Sequence, residues 1–179
     1  LLKEDNIDAL VSSGLKEVWI GAESGSQRIL DAMDKGTTIA QIEEATKLLQ
    51  SKGVRVAFFL QFGYLGETKE EVEATIEMLL RCMPDDIGVS VSYPLPGTKF
   101  YDMVSSELGQ KANWEDSDDL ALMFSNTFNQ AYYKTLHRYV HKVFRNEQAK
   151  EHKDIGRQLY YAPLIQYYKY KLKRLSNRA

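Results

Sequence analysis

Glu23, Ser24 and Ser26 set a carboxylate and two hydroxyls side by side in the run Gly21-Ala22-Glu23-Ser24-Gly25-Ser26. The preceding Glu17-Val18-Trp19-Ile20 is β-branched and aromatic, which predicts a buried strand, and Ser26 to Met33 reads as a helix. The polar groups therefore fall where a strand ends and a helix begins. Free backbone N–H groups at such a junction seat anionic or polar ligands. A carboxylate there accepts hydrogen bonds from hydroxyls or an ammonium, at about 1.5–3 kcal/mol per charge-assisted bond. The plainer role for Glu23 is an acid that favours the helix N-terminus, and for Ser26 an N-cap. Lys35 follows Glu23 by 12 residues, near the end of that helix, where dipole complementarity alone would favour a cation.

Gln61, Gly63, Gly66 and Glu67 form a second polar cluster, again just past an apolar run (Val54 to Phe62). Glycine permits positive φ or close backbone approach, which a ligand lying flat on a strand end requires. A plain turn followed by a capped helix, with Thr68 as N-cap and Glu71 completing a capping box, accounts for the same residues. His137 and His141 share a helical face at i, i+4 but have no third ligand, so they read as surface or packing histidines. Cys82, the sole cysteine, lies in a helical run and reads as a core thiol. No residue is assigned a catalytic or metal-ligating role.

These residues need a frame of alternating elements. Strands are predicted over 16–22, 54–62 and 87–92, and helices over 26–34, 38–52, 68–83 and 98–106. The run 54–62 is apolar almost throughout, as for a parallel strand covered on both faces. Residues 107–127 look irregular and include Trp114 among acids. The tail predicts a helix over 128–150 and another over 157–176, interrupted at Pro163. Strand–helix alternation implies a parallel α/β sheet.

The chain has 179 residues, 44% hydrophobic, with net charge −2. Residues 134–179 hold 12 Lys/Arg and 3 Asp/Glu, a balance of +9, while the first 133 hold 11 and 22, a balance of −11. Global charge does not suggest nucleic acid, and no apolar run approaches the ~20 residues of a membrane span. A lone cysteine fits a reducing cytosol. The opening helix-like residues and missing initiator Met suggest an excised piece of a longer protein. Eight of the 11 tyrosines lie beyond residue 127, interleaved with lysine, and are expected to pack the helical pair against the α/β body.

Gly-Ala-Glu-Ser-Gly-Ser-Gln-Arg-Ile-Leu (21–30) with Met33-Asp34-Lys35-Gly36, then Phe59 to Thr68, then Ser92 to Thr98, resemble three successive motifs of the radical S-adenosylmethionine (SAM) superfamily, in family order. The tail and the Trp114 segment most resemble cobalamin-dependent members close to the anaerobic magnesium-protoporphyrin monomethyl ester cyclase. The resemblance implies an α/β fold: strands four to six of a partial, TIM-like (βα) barrel over 1–106, followed by a mainly helical extension over 107–179. It also implies a SAM site drawing on Glu23, Ser24, Ser26, Lys35, Gln61, Gly63, Gly66 and Glu67. In this family three cysteines hold a [4Fe–4S] cluster, and SAM is cleaved to a 5′-deoxyadenosyl radical. Those cysteines are absent here. The resemblance thus implies a cytoplasmic enzyme fragment, inactive alone, that acts on a tetrapyrrole or other small molecule. Its cluster would sit on a missing N-terminal half, and a cobalamin domain would lie upstream of that.

As partners we expect that missing half and, through unpaired strand edges, other copies of the chain. Neither nucleic acid nor membrane is expected. Two other readings stand beside this one. The first is a cluster-free nucleotide-binding α/β module, and the second is an interaction module whose basic tail docks an acidic partner or an anionic membrane surface.

Overall fold

The computed structural model describes residues 4–108, 120 and 122–177. Trp114 and its acidic neighbours lie outside them. The elements are α1 (Glu4–Ser12), β1 (Glu17–Glu23), α2 (Gln27–Ala32), α3 (Ile39–Ser51), β2 (Arg55–Phe62), α4 (Lys69–Cys82), β3 (Asp86–Val91), α5 (Lys99–Val104), a 3-10 turn (Ser105–Glu107), α6 (Gln130–Glu151) and α7 (Ile155–Ser176). The strands form one parallel sheet in the order β1-β2-β3. The residues group into two compact units, 1–60 with 70–89, and 61–69 with 90–179.

In the first unit the core follows from periodicity. Ile42, Thr46 and Leu49 of α3 and Val72, Thr75, Met78, Leu79 and Cys82 of α4 form buried helical stripes. Val56, Phe58 and Leu60 of β2 are buried with them. Full burial of a side chain such as Phe58 contributes about 1.5–3 kcal/mol. α3 starts on a complete capping box, in which the Thr38 hydroxyl accepts from Gln41 N–H and the Gln41 side chain accepts from Thr38 N–H.

The other face of the sheet corrects the expectation for β2. Phe59 is 50% exposed and stacks on Trp19, 41% exposed, with ring centroids 4.6 Å apart. Apolar continuity in β2 thus does not mean cover on both faces. Gly88 of β3 leaves the rings room, since a β-carbon there would lie 3.0 Å from the Phe59 ring.

The turn between β1 and α2 is pinned to α4. Gly25 N–H donates to Thr75 Oγ1 at 2.9 Å, and the fully buried Ser24 hydroxyl lies 3.2 Å from the same oxygen. Thr75 Oγ1 in turn donates to the Glu71 carbonyl. The turn lies so close to α4 that a β-carbon on Gly25 would sit 2.3 Å from the Ala74 carbonyl oxygen.

In the second unit Phe128, Tyr132, Tyr133, Leu136, Val140 and Phe144 are buried, and Asn129 caps α6. α7 runs unbroken through Pro163, contrary to the predicted interruption. A proline inside a helix costs about 3 kcal/mol. Here the carbonyl that loses its donor belongs to Leu159, a largely exposed residue. The tyrosines of α7 also depart from expectation: no residue of α7 is buried, and Tyr160, Tyr167 and Tyr170 face outward.

Gly25→Ala should lower stability by about 3 kcal/mol, because backbone meets the new methyl and cannot repack as a side chain would. Thermal denaturation should show a fall of about 10 °C. Thr75→Val should cost less, about 1–2 kcal/mol, by orphaning the Gly25 N–H.

Candidate functional site at the strand ends

Glu23 closes β1 in an unusual conformation. Its φ is +54°, and Ser24 N–H donates to the Ala22 carbonyl at 2.7 Å, so a three-residue turn closes around it. The ladder to β2 slips at this point: Gly21 pairs with Phe59 and Glu23 with Leu60, leaving Ala22 as an extra residue. A non-glycine residue held this way stores about 1–2 kcal/mol of strain.

The turn directs the Glu23 carboxylate to Lys35, whose Nζ donates to Oε1 at 2.7 Å. α2 delivers Lys35 through its C-terminal cap. Asp34 adopts φ +57°, Asp34 N–H donates to the Asp31 carbonyl, and Lys35 N–H donates to the Leu30 carbonyl, the two bonds of a Schellman motif. The pair crosses directly over Gly21. A β-carbon at that position would lie 2.6 Å from Glu23 Oε1 and 2.8 Å from Lys35 Nζ. Side-chain exposures of 19% for Glu23 and 35% for Lys35 keep both charges within reach of a ligand.

Ser24 and Ser26 do local work. Ser24 Oγ accepts from Ser26 N–H and touches Thr75, while Ser26 Oγ accepts from Ile29 N–H at the start of α2 and donates to Glu71. Arg28 also donates to Glu71 from a largely exposed position. Sequence reasoning missed Thr75 and Glu71 as supports of this turn. The available signal was a hydroxyl at position 75 in the otherwise apolar stripe of α4.

The second unit holds the other cluster. Glu67 is fully buried and its Oε2 accepts from Gly63 N–H at 2.6 Å. Asn126 Nδ2 donates to the Gly63 carbonyl at 2.6 Å, and Tyr133 donates to Asn126 Oδ1. Burial, then the nearby Glu67 charge, push the Tyr133 phenol well above its ordinary range. Gly63 has φ +77°, and a β-carbon there would lie 3.0 Å from Asn126 and 3.1 Å from the Tyr133 ring. Both its peptide groups and its lack of a side chain thus serve this network, which the sequence did not reveal. Gly66 has φ +69° with open space where a β-carbon would be, and Gln61 is half-buried. Ser92, just past β3, donates its N–H to the Phe62 carbonyl, but its hydroxyl is buried with no hydrogen-bond partner among the described residues.

Two predicted features lie apart from these clusters. The His137 and His141 ring centroids are 4.6 Å apart. Among the described residues no group of three or more His, Cys, Asp and Glu is arranged to hold a metal. Cys82 is buried, and burial raises its thiol to about 11.

A model described as the radical SAM superfamily matches residues 1–79. Residues 1–79 belong to the radical SAM superfamily. Members of this superfamily are enzymes that use SAM and a [4Fe–4S] cluster, and the chain covers only part of the radical SAM domain.

The chain is 33% identical over 107 residues to an uncharacterised methyltransferase of Pyrococcus horikoshii, covering 59% of this chain and 23% of that protein. It is 34% identical over 103 residues to a putative methylthiotransferase of Methanocaldococcus jannaschii, with coverage of 58% and 23%. It is also 33% identical over 89 residues to the anaerobic magnesium-protoporphyrin IX monomethyl ester cyclase of Cereibacter sphaeroides, with coverage of 50% and 14%. The chain therefore spans a quarter or less of the length of these relatives.

Two solved structures share the fold. The archaeal Elp3 of Methanocaldococcus infernus matches with TM-score 0.58 at 20% identity, over 77% of this chain and 30% of that one. The radical SAM methyltransferase TsrM of Kitasatospora setae, solved with cobalamin and a [4Fe–4S] cluster bound, matches with TM-score 0.53 at 22% identity, over 63% and 23%.

Cys82 should react with a thiol reagent at pH 8 at least tenfold more slowly in the folded chain than in urea, because the thiolate is the nucleophile and burial suppresses it. The raised value also ties stability to pH. The folded state holds the proton more tightly, so this contribution is complete below the ordinary thiol value of 9.0 and is lost as pH rises towards about 11. Chemical denaturation at pH 8 and pH 10 should show the decrease, and Cys82→Ala should reduce it, leaving the smaller fall due to the raised Tyr133 phenol.

Proposed function

We propose that the chain forms part of the SAM-binding wall of a radical SAM enzyme, with the Glu23–Lys35 pair holding the amino-acid end of SAM. The observation that carries the reading is the pair itself, laid across Gly21 at the end of β1. The amino-acid moiety of SAM bears an ammonium and a carboxylate. Glu23 can accept from the first and Lys35 can donate to the second, so one internal ion pair is exchanged for two external ones. That donor set fits the ligand. Ser24 and Ser26 hold the turn that aims Glu23 and have no ligand contact in this reading.

The second cluster carries its own part of the proposal. Within its own unit, Glu67 and Gly63 fix a rigid turn, and Gln61 and the open side of Gly66 are the groups there that we assign to a nucleoside. When bound, SAM supplies a methyl group or a 5′-deoxyadenosyl radical. The chain's own residues orient it.

The chain does not fit the iron–sulfur cluster. Its sole cysteine is buried in α4 with its thiol raised to about 11, so we assign the cluster to a cysteine-bearing segment outside these residues. That segment would extend the three strands towards a barrel, with residues 1–106 as the radical SAM portion and 107–179 as its helical extension. The exposed Trp19–Phe59 face would pack against it or, failing that, against another copy of the chain. The relatives' names point to methyl transfer, methylthio transfer or cyclisation, and we take the reaction to be a cobalamin-dependent one on a tetrapyrrole or another small molecule. The lone cysteine suits a cytoplasmic enzyme.

Calorimetric titration of the chain with SAM tests the assignment. Lys35→Met and Glu23→Gln should each weaken binding by about tenfold, the loss of one charge-assisted bond, while Arg28→Met changes it less than about twofold. Equal affinity for Lys35→Met and the parent chain would remove the pair from the site.

A further inference from the structure

α7 is apolar on two opposite faces. Tyr161, Leu164, Ile165, Tyr168, Leu172 and Leu175 are half-buried on the side that packs on α6. The opposite arc carries Ile155, Leu159, Tyr160, Tyr167 and Tyr170, each 56–72% exposed. Steps of four, seven and three residues, with Leu159 and Tyr160 adjacent, spread them over one broad side of a 22-residue helix. Lys169, Lys173 and Arg174 flank them in exposed positions, and Arg174 lies 5.9 Å from the Tyr170 ring centre. A helix with apolar side chains on two opposite sides normally has both covered, yet no residue of α7 is buried.

We propose that this outer face of α7 lies on an anionic phospholipid surface. The occupant has to meet two demands at once. Ile155 and Leu159 need an aliphatic environment, and the balance of +9 over residues 134–179 needs negative charge. A lipid headgroup boundary supplies both, and tyrosine favours that boundary because its ring is apolar and its hydroxyl polar. Single-stranded nucleic acid would stack on tyrosine and satisfy the lysines but offers nothing to the two aliphatic side chains.

The elbow between α6 and α7 adds a second cationic feature. A cavity of about 520 Å³ there is lined by Arg145, His152, Arg157 and Tyr161, with Asp154 the sole acid among its lining residues, 3.4 Å from Arg157, so that its arginines outnumber its acid by one. A lipid phosphate matches it in charge. No helix of the described residues is long and apolar enough to cross a membrane, so the association is one of lying on the surface. The expectation of no membrane partner rested on the lack of a spanning segment and is revised on this ground.

Co-sedimentation of the full chain with phosphatidylcholine vesicles, with and without phosphatidylglycerol, tests the proposal. Binding should be at least about tenfold tighter with phosphatidylglycerol and should weaken as salt rises. Leu159→Ser/Tyr167→Ser/Tyr170→Ser should lose about tenfold or more, with circular dichroism unchanged because these residues are exposed. Lys169→Gln/Lys173→Gln/Arg174→Gln should lose roughly fivefold per charge on anionic vesicles and nothing on neutral ones. Equal partition to both vesicles, or no vesicle binding, overturns the proposal. So does tight binding to an oligonucleotide alone, or a serine variant whose sole effect is to dissociate a dimer of the chain.

Discussion

The hydroxyl of Thr75 holds the first unit in the form that its polar turn requires. It accepts the Gly25 N–H, lies against the Ser24 hydroxyl and donates to its own helix at Glu71. A buried hydroxyl so employed satisfies groups that would otherwise cost about 1–3 kcal/mol each. Everything before and after the turn inherits its position. Upstream, β1 must end where Glu23 can turn back over Gly21. Downstream, α2 must begin at Ser26, and its cap must return Lys35 to the strand end. The absence of a side chain at Gly25 lets the turn approach α4 closely enough for the contact to form.

Strands and helices were legible because hydrophobic period and capping residues agree along most of the chain. β1, β2 and β3 fall within a residue of their expected limits, and Thr38 opens α3 as its type suggests. What could not be read were choices made by distant partners. Whether Gly63 serves a ligand or a packed ring depends on Asn126 and Tyr133, more than 60 residues away. Nothing local says that Phe59 is exposed while Phe58 is buried, because both belong to one apolar run. Pro163 reads as a break by propensity, yet α7 continues through it. The Glu23–Lys35 distance was legible only as a shared neighbourhood. Their salt bridge follows from a strained turn and a left-handed Asp34, which no residue-type pattern specifies.

The two units organise polarity in different ways. In the first, charges are matched in pairs at the surface: Lys52 with Asp8, Arg81 with Glu43, Arg28 with Glu71. Exposed pairs of this kind contribute little to stability, and acids outnumber cations over these residues. In the second, cations gather along α6 and α7 with few acids to answer them, and aromatic rings stand among them. Such a distribution is an electrostatic property of a surface, separate from the chemistry at the strand ends.

The left-handed conformation of Glu23 sets backbone ease against the ion pair with Lys35 at one residue. Glycine at that position would relax the backbone by about 1 kcal/mol, and asparagine would recover part of that, since both adopt positive φ at lower cost. Either would also leave Lys35 without its carboxylate. Random stabilising substitutions should therefore collect at position 23 as readily as at any site in the first unit, and each would make a sturdier protein without the Glu23–Lys35 pair. Selection for thermal resistance alone would discard the carboxylate.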